Sequence, residues 1–576
     1  MKKYKRMGVA AATVFLVMLI TGILLPMTFY LNDDVTLRNV MSGAYTGVPE
    51  GHAVNMEYPL TGLISLLYRI FRKVPWFSLF MSGCIWLSAT LLLGELAGRT
   101  KSMGWKGIVL TISMGILCAS FFLPNMVSMH YTLIAAILGS CGLFLTVIGS
   151  GKKAVVLLVL CYCVRTEVFF LMLPFLLVAV LWLLWEERSV KPFLSVVILA
   201  LSILCCIGWN SFMYRSEEWQ QFQKFHDSRV QLYDYCYLLP YMDNVDRYES
   251  VGIGEEEYTI LEQYTLVLED KADAQLLEAA SKVYTDKVNE ERNIKEYLMY
   301  CLAEYYYHTR YTDKPYNYIL ICAYLLTAVL LIGGRRWVQM LLLCCMAAGR
   351  SIVWIYLIWR GRFPERVYVS LYFLEIMVLA GMMCAMLTEK SRRNDSAETE
   401  NNLENNHKKW KSSALVGMCG LAAVFLIIAG YVQMTQALEK AVIQEEAQKE
   451  WDVLTEYCTG REDCFYLLDV RSMVPYSGRV WEPASGKANY LLAGGWMSRT
   501  PLLRERLAVM GAKDGGELLV MGEAEGTKIF YIAKSDRDIS WLPEYLSSRY
   551  GRIMVEKTDS IMLNGEELFS VYSVVK

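Results

Sequence analysis

The chain has almost no excess charge of either sign: 56 Lys and Arg against 58 Asp and Glu leave a formal net of -2 over 576 residues. A nucleic-acid protein would carry a basic stripe, and none is present. No pair of CxxC motifs with zinc spacing occurs. Most of the 16 cysteines lie inside apolar runs, where they act as small hydrophobes rather than as a disulfide framework. Residues 434–576 carry no P-loop, dinucleotide fingerprint or catalytic triad. No internal repeat of fixed period occurs, which counts against a transporter built from matching halves. No filter-like run occurs either, which counts against a channel.

What the chain has in quantity is hydrophobicity: 55% of residues are apolar and 13% aromatic. Several apolar runs reach the ~18 residues that signal a membrane span, so the fold class is an α-helical polytopic membrane protein. The basic start, Lys2, Lys3, Lys5 and Arg6, precedes an apolar run over 7–28. At ~1.5 Å per residue that run covers roughly 33 Å, enough to cross a bilayer, and is expected to be a retained anchor with its N-terminus in the cytoplasm. Further spans are expected at 76–97, 105–122, 126–148, 154–164, 168–185, 191–212, 316–333, 337–358, 366–387 and 412–433. The 154–164 piece is too short to cross alone, and Arg165-Thr166-Glu167 interrupts the apolar run. A pair of short or re-entrant helices is expected there. Threading about eleven spans puts the clear basic clusters inside (Lys152, Lys153, Arg335 and Arg336 among them), apart from one at 360–366.

That threading divides the chain. Residues 1–212 form an N-terminal membrane domain with a first outer loop at 30–75. A basic amphipathic helix within 59–73 would lie along the interface, with Leu60, Leu63, Ile64, Leu67, Ile70 and Phe71 on one face. Residues 213–315 are expected to be an outer helical insertion, with helical periodicity over 261–283. Spans resume at 316–387. Residues 388–411 are polar and repetitive and are expected to be a disordered cytoplasmic linker. After a last span at 412–433, residues 434–576 read as an extracytoplasmic α/β domain. Its strands are expected at 465–468 and 528–532, its helix at 542–550, and a hairpin at Asn564-Gly565. Cys458 and Cys464 are close enough in sequence for a disulfide only if the backbone turns sharply.

Three groups of residues could carry chemistry. Asp33 and Asp34 are adjacent carboxylates where the first span emerges. They suit a base for an attacking hydroxyl, or a metal, and Asn32 or Asp33 would equally serve as a helix N-cap. His52 and Glu57 share that outer segment. The second group lies at membrane depth, where an ionisable residue needs a partner or a water-filled cavity. It comprises His130, Arg165, Glu167, Arg350 and Glu375. Internal pairing of Arg165 with Glu167 and of Arg350 with Glu375 stands beside the alternative that they line a polar cavity. The third group is Arg360, Arg362 and Arg366, three arginines kept on the side where positive charge is disfavoured. An anionic partner explains them, either a substrate phosphate or membrane lipid headgroups.

Together these features resemble the GT-C glycosyltransferases, which include protein O-mannosyltransferases, the aminoarabinose transferase of lipid A and lipopolysaccharide-core transferases. The pattern is an acidic pair after the first span, an interfacial helix, a break at Arg165-Thr166-Glu167 and an outer Arg-Phe-Pro before a late span. It covers 1–212 and 316–387. The resemblance implies transfer of a sugar from a polyprenyl-phosphate carrier to an envelope glycan, lipid or protein acceptor on the outer face of the membrane. It implies inversion at the sugar carbon and a base at Asp33 or Asp34. It also implies basic residues on the carrier phosphate, with Arg360, Arg362 and Arg366 the candidates, and Arg165 and Arg350 deeper. A metal-binding partner for the acidic pair cannot be placed, so a divalent metal stays open. The alternative is a non-catalytic or transport protein of envelope polysaccharide assembly: a flippase, a polymerase partner or a scaffold.

Overall fold

The computed structural model describes residues 2–187, 189–397, 405–483 and 485–576. Among them, nine helices are long and apolar enough to cross a membrane. They are Lys5–Leu24, Trp76–Arg99, Trp105–Val127, Thr166–Glu187, Lys191–Met213, Tyr316–Gly333, Trp337–Trp359, Glu365–Glu389 and Ala422–Thr459. The chain is a multi-pass, mainly helical membrane protein. Phe15, Ile112, Leu177, Leu204 and Leu325 leave much of their apolar surface uncovered on these helices, as side chains facing lipid do.

Two of the eleven expected spans are shorter. Tyr131–Val147 has 17 residues and is buried along its whole length. It packs against Glu365–Ala397, Gly151–Val164 and Thr166–Glu187. A helix that is apolar all round is one surrounded by other elements, and this one is the hub of the membrane part. Gly151–Val164 has 14 residues and ends at Arg165, whose extended backbone (φ -156°, ψ 105°) interrupts the helix. The expected pair of short helices is therefore corrected. Only the first is short, because Thr166–Glu187 runs 22 residues beyond the break.

The helix in the expected first outer loop spans Tyr58–Ile70. It buries Leu60, Ile64 and Tyr68 against the protein, while Leu63, Leu66, Ile70 and Phe71 stay exposed. The single apolar face expected for it is thus split in two: one side is core, and the other is free for the membrane interface. In the insertion, helices Glu255–Gln263 and Ala274–Glu291 replace the continuous helix expected over 261–283. Tyr264 breaks it by adopting a left-handed backbone (φ 60°).

The last long helix runs unbroken from Asn405 to Thr459, 55 residues or about 80 Å. It passes 434 without interruption, and its polar end forms part of the C-terminal unit. Helices Glu365–Ala397 and Asn405–Thr459 also enter both ends of the expected linker, whose Glu- and Lys-rich composition favours helix. The centre of that linker, 398–404, lies outside the described residues.

The C-terminal unit is built on a six-stranded sheet. Strands β3 (Cys464–Leu468), β4 (Tyr490–Leu492), β6 (Thr527–Lys534), β7 (Met554–Leu563) and β8 (Glu566–Val575) run in the order β4-β3-β6-β8-β7, with β5 (Glu523–Ala524) beside β6. β3 is parallel to both its neighbours, and β7 and β8 form an antiparallel hairpin. The hairpin turns on Asn564 and Gly565, both at positive φ (53° and 87°), as a two-residue turn of this kind requires. Cys458 and Cys464 are buried free thiols, so no disulfide joins them.

This unit is stitched to the segment that follows the first span. A short parallel pair joins β1 (Thr28–Phe29) to β2 (Ser128–Met129). The C-terminal segment adds itself alongside: the amide of Phe29 donates to Gly478 O at 3.0 Å, and that of Val480 donates to Met27 O at 3.0 Å. The insertion joins from a third direction, with the Val267 amide donating to Ala493 O at 3.1 Å. Three segments far apart in sequence therefore converge on the residues that follow the first span.

Candidate active site

The convergence point is the helix Asn32–Ser42, which follows the first span. Its sequence, NDDVTLRNVMS, is amphipathic. Asn32, Asp33, Thr36 and Asn39 fall on one face and line a cavity of about 1010 Å³. Asp34, Leu37, Val40 and Met41 turn the other way and are buried. Leu31, not Asn32 or Asp33, occupies the N-cap position, and no side chain caps the helix. The capping role open in the sequence is thus not taken by either residue.

The two aspartates separate completely. Asp34 is fully buried, and its Oδ1 accepts the backbone N–H of Tyr131 at 3.0 Å. It thereby holds the first turn of the central helix Tyr131–Val147. Its Oδ2 is buried with no partner. Burial pushes the Asp34 carboxyl well above the usual carboxylate range, against a smaller opposing pull from the Tyr131 N–H. Asp33 is on the cavity wall, where its Oδ1 accepts the indole N–H of Trp496 at 3.1 Å.

Trp496 reaches Asp33 because Gly494 and Gly495 precede it. A Cβ on Gly494 would lie 1.8 Å from the Tyr264 carbonyl oxygen, so only glycine allows the insertion to dock there. Gly495 sits at φ 94°. The Tyr264 hydroxyl accepts from Arg229 at 2.8 Å, and Arg229 and Tyr264 line the same cavity as Asp33. Arg229, Tyr264 and Trp496 are the participants that reading the sequence alone missed. Of the three, only Trp496 has a local mark, the two glycines that precede it.

Arg165 stands where the helix breaks. Its Nε pairs with Glu167 at 2.8 Å, and its Nη1 donates to the Tyr131 hydroxyl at 3.0 Å. The charge of Asp33 is felt by both Arg165 and Arg229. One carboxylate and two guanidinium groups therefore share one electrostatic neighbourhood, with the Asp234 carboxylate also acting on both arginines. Arg366 acts on Asp34 through its charge. It lines a small polar recess with Tyr30, Glu365 and Lys440, and no described carboxylate is within ion-pair distance of it. Lys440 pairs with Glu365 at 2.8 Å.

The other candidates are engaged within the protein. Arg350 and Glu375 form a buried ion pair at 2.9 Å, with Trp354 and Tyr305 over the guanidinium, so of the two alternatives this pair takes the internal one. Arg360 stacks on Tyr235 with 4.5 Å between guanidinium and ring centroid, and Arg362 pairs with Asp234. The two arginines thus anchor the insertion. His52 is held by Glu50 at 2.6 Å, stacks on Trp219 at 4.5 Å and contacts the Met213 carbonyl at 3.2 Å. It joins the first outer loop to the start of the insertion. His130 caps the central helix, its Nδ1 accepting from the Thr132 N–H at 3.0 Å, and leaves Nε2 buried without a partner. Glu57 begins the Tyr58–Ile70 helix, and its backbone N–H donates to Cys163 O at 2.9 Å. Burial, then the nearby Glu167 charge, pushes its carboxyl up to about 7. Among the described residues no group of three or more His, Cys, Asp or Glu side chains is arranged to hold a metal ion.

No family model matches the chain, and no curated protein matches it. A solved structure to which it is similar is the crystal structure of ArnT from Cupriavidus metallidurans bound to undecaprenyl phosphate. The match covers 98% of this chain and 97% of that one, with 9% sequence identity and a TM-score of 0.39.

Proposed function

We propose that this protein is a glycosyltransferase. It moves a sugar from a polyprenyl-phosphate carrier to an acceptor hydroxyl on the outer face of the cytoplasmic membrane, with Asp33 as the base. The observation that carries this reading is the position of Asp33. It lines a cavity of about 1010 Å³, with Arg165 and Arg229 in electrostatic reach.

Each group has a role that fits its surroundings. The Trp496 N–H holds Asp33 Oδ1 and leaves the other carboxylate oxygen with no described hydrogen bond. That oxygen takes the proton as the acceptor oxygen attacks the anomeric carbon. The bond from that carbon to the phosphate oxygen breaks, and the leaving phosphate needs positive charge. Arg165 supplies it from the helix break, and Arg366 is the further cation that meets no described carboxylate. Positively charged groups fixed before the reaction stabilise such a leaving group without reorganising. Asp34 acts through structure, by holding the central helix against the Asp33 helix.

The test uses purified protein in liposomes with a polyprenyl-phosphate sugar and envelope extract. Asp33→Asn should melt like the wild type and lose transfer by about 10²–10⁴-fold, the usual worth of a general base. Full transfer by Asp33→Asn would overturn the assignment. Cells lacking the protein should accumulate the sugar-loaded carrier.

A further inference from the structure

We infer that the acceptor is an uncharged or weakly charged oligosaccharide, bound in the Asp33 cavity with Trp451 and Tyr490 as its stacking wall and Asn39 as its hydrogen-bonding fork. The inference rests on the glycosyl-transfer reading above and names the substrate class for that site.

Where the cavity sits is the first reason. Every residue lining it comes from 32–45, from Arg229 and 264–267, or from 448–506. None comes from the apolar part of a membrane-crossing helix. Val35, Met473, Val474 and Leu492 give the cavity apolar patches, but it is set apart from the apolar stretches of the spans, which favours a water-soluble polymer or the outer part of a larger molecule as its occupant.

The chemistry of the lining is the second reason. Trp451 and Tyr490 are half-buried, and their rings meet edge to face at 5.9 Å, so part of each aromatic surface is left to the cavity. Such rings pack against the C–H face of a pyranose, an apolar body with a polar rim. Asn39 and Asn32 line the same cavity from one face of their helix, and neither side-chain amide bonds to a described residue. A free amide offers a donor and an acceptor side by side, which matches neighbouring hydroxyls. Glu456 is exposed on the same wall, and its side-chain carboxylate makes no described hydrogen bond. Acidic and basic side chains in the lining are in near balance, with Arg38 already bonded to Glu482 and Arg506 to the Ala488 carbonyl. A polyanion would need a clear positive excess.

Size is the third reason. About 1010 Å³ is at the top of the ~300–1,000 Å³ usual for small-molecule sites, room for a few sugar rings rather than one. Asp33 is on the wall of that space, so a hydroxyl of a seated oligosaccharide can reach its free oxygen.

The experiment measures binding, not transfer, on the full-length protein in nanodiscs. The probe is the set of oligosaccharides released by mild acid from the producing cell's own envelope, tagged at the reducing end and followed by fluorescence polarisation. The wild type should retain at least one component. Asn39→Ala, on a helix face where alanine is well tolerated, should weaken it about tenfold, as loss of a buried hydrogen-bonding pair does. Trp451→Ala should weaken it at least as much, and both variants should melt like the wild type. Failure of the folded wild type to retain any component overturns the inference. So does unchanged binding in Asn39→Ala, and so does retention of envelope peptides in place of glycans. If a glycan binds at this wall but no sugar is transferred to it, the assignment of the cavity as a glycan site stands and the glycosyl-transfer reading fails.

Discussion

At the scale of single residues, neighbouring carboxylates in this chain have opposite environments. Asp33 and Asp34 are adjacent on a helix, so their side chains leave in directions about 100° apart, and only one can face the cavity. Asp34 accepts one backbone N–H and is otherwise enclosed, and burial keeps its proton on. Asp34→Asn, an uncharged mimic, should keep both fold and transfer. Asp34→Ala leaves the Tyr131 N–H buried and unpaired and should cost about 1–3 kcal/mol in a thermal or denaturant unfolding measurement. Glu57 gives a pH prediction. Its folded-state value of about 7 is above the usual 4.5, so the folded protein holds this proton more tightly than the unfolded chain does. The resulting stabilisation is complete at low pH and falls away as pH rises from 4.5 through about 7. Glu57→Gln cannot ionise. It should match the wild type in melting temperature at about pH 4.5 and exceed it above about pH 7.

At the scale of elements, the site depends on close approaches between segments that no local pattern reveals. Gly494 allows the Tyr264 loop of the insertion to lie against the turn that carries Trp496. Gly494→Ala forces that contact open. It should cost about 1–3 kcal/mol of stability, as overpacking does, and should lower transfer more than Trp496→Phe, which removes only the hydrogen bond to Asp33. Comparing the two rates separates positioning of the loop from the indole N–H itself. Deeper down, Arg350 on the Trp337–Trp359 helix is locked to Glu375 on the Glu365–Ala397 helix. Removing either partner strands a buried charge. Arg350→Met or Glu375→Leu alone should each cost about 3–5 kcal/mol, and the double replacement should recover most of that loss. Unfolding in mild detergent checks this, and a double variant no better than the singles would show that the pair acts through other partners.

At the scale of the whole molecule, the loop after the first span, the insertion and the C-terminal unit meet through backbone hydrogen bonds. Charge threading predicts that they face out of the cytoplasm. In a cysteine-free background, single cysteines at Asn55, Asp273 and Asp559 should react with an impermeant thiol reagent added from outside, and one at Asn402 should not. Labelling at Asn402 with none at Asp273 would invert the orientation.

Apolar run length and turn chemistry were enough for the parts of this molecule that depend on local sequence. The long spans, the helix break at Arg165, the Asn564-Gly565 hairpin and the acidic pair after the first span could all be read from nearest neighbours and from distance along the chain. A run of apolar residues must leave water, and an Asn-Gly pair accepts positive φ, wherever the rest of the chain goes. Tertiary structure alone decided which aspartate faces the cavity and that Arg360 and Arg362 serve the insertion. It alone decided that Arg350 is spent on Glu375, and that Trp496, Arg229 and Tyr264 join Asp33 from hundreds of residues away. Those outcomes depend on pairings across large sequence separations, where a charge or ring is satisfied by whatever the fold brings near it, and no spacing rule along the chain records that.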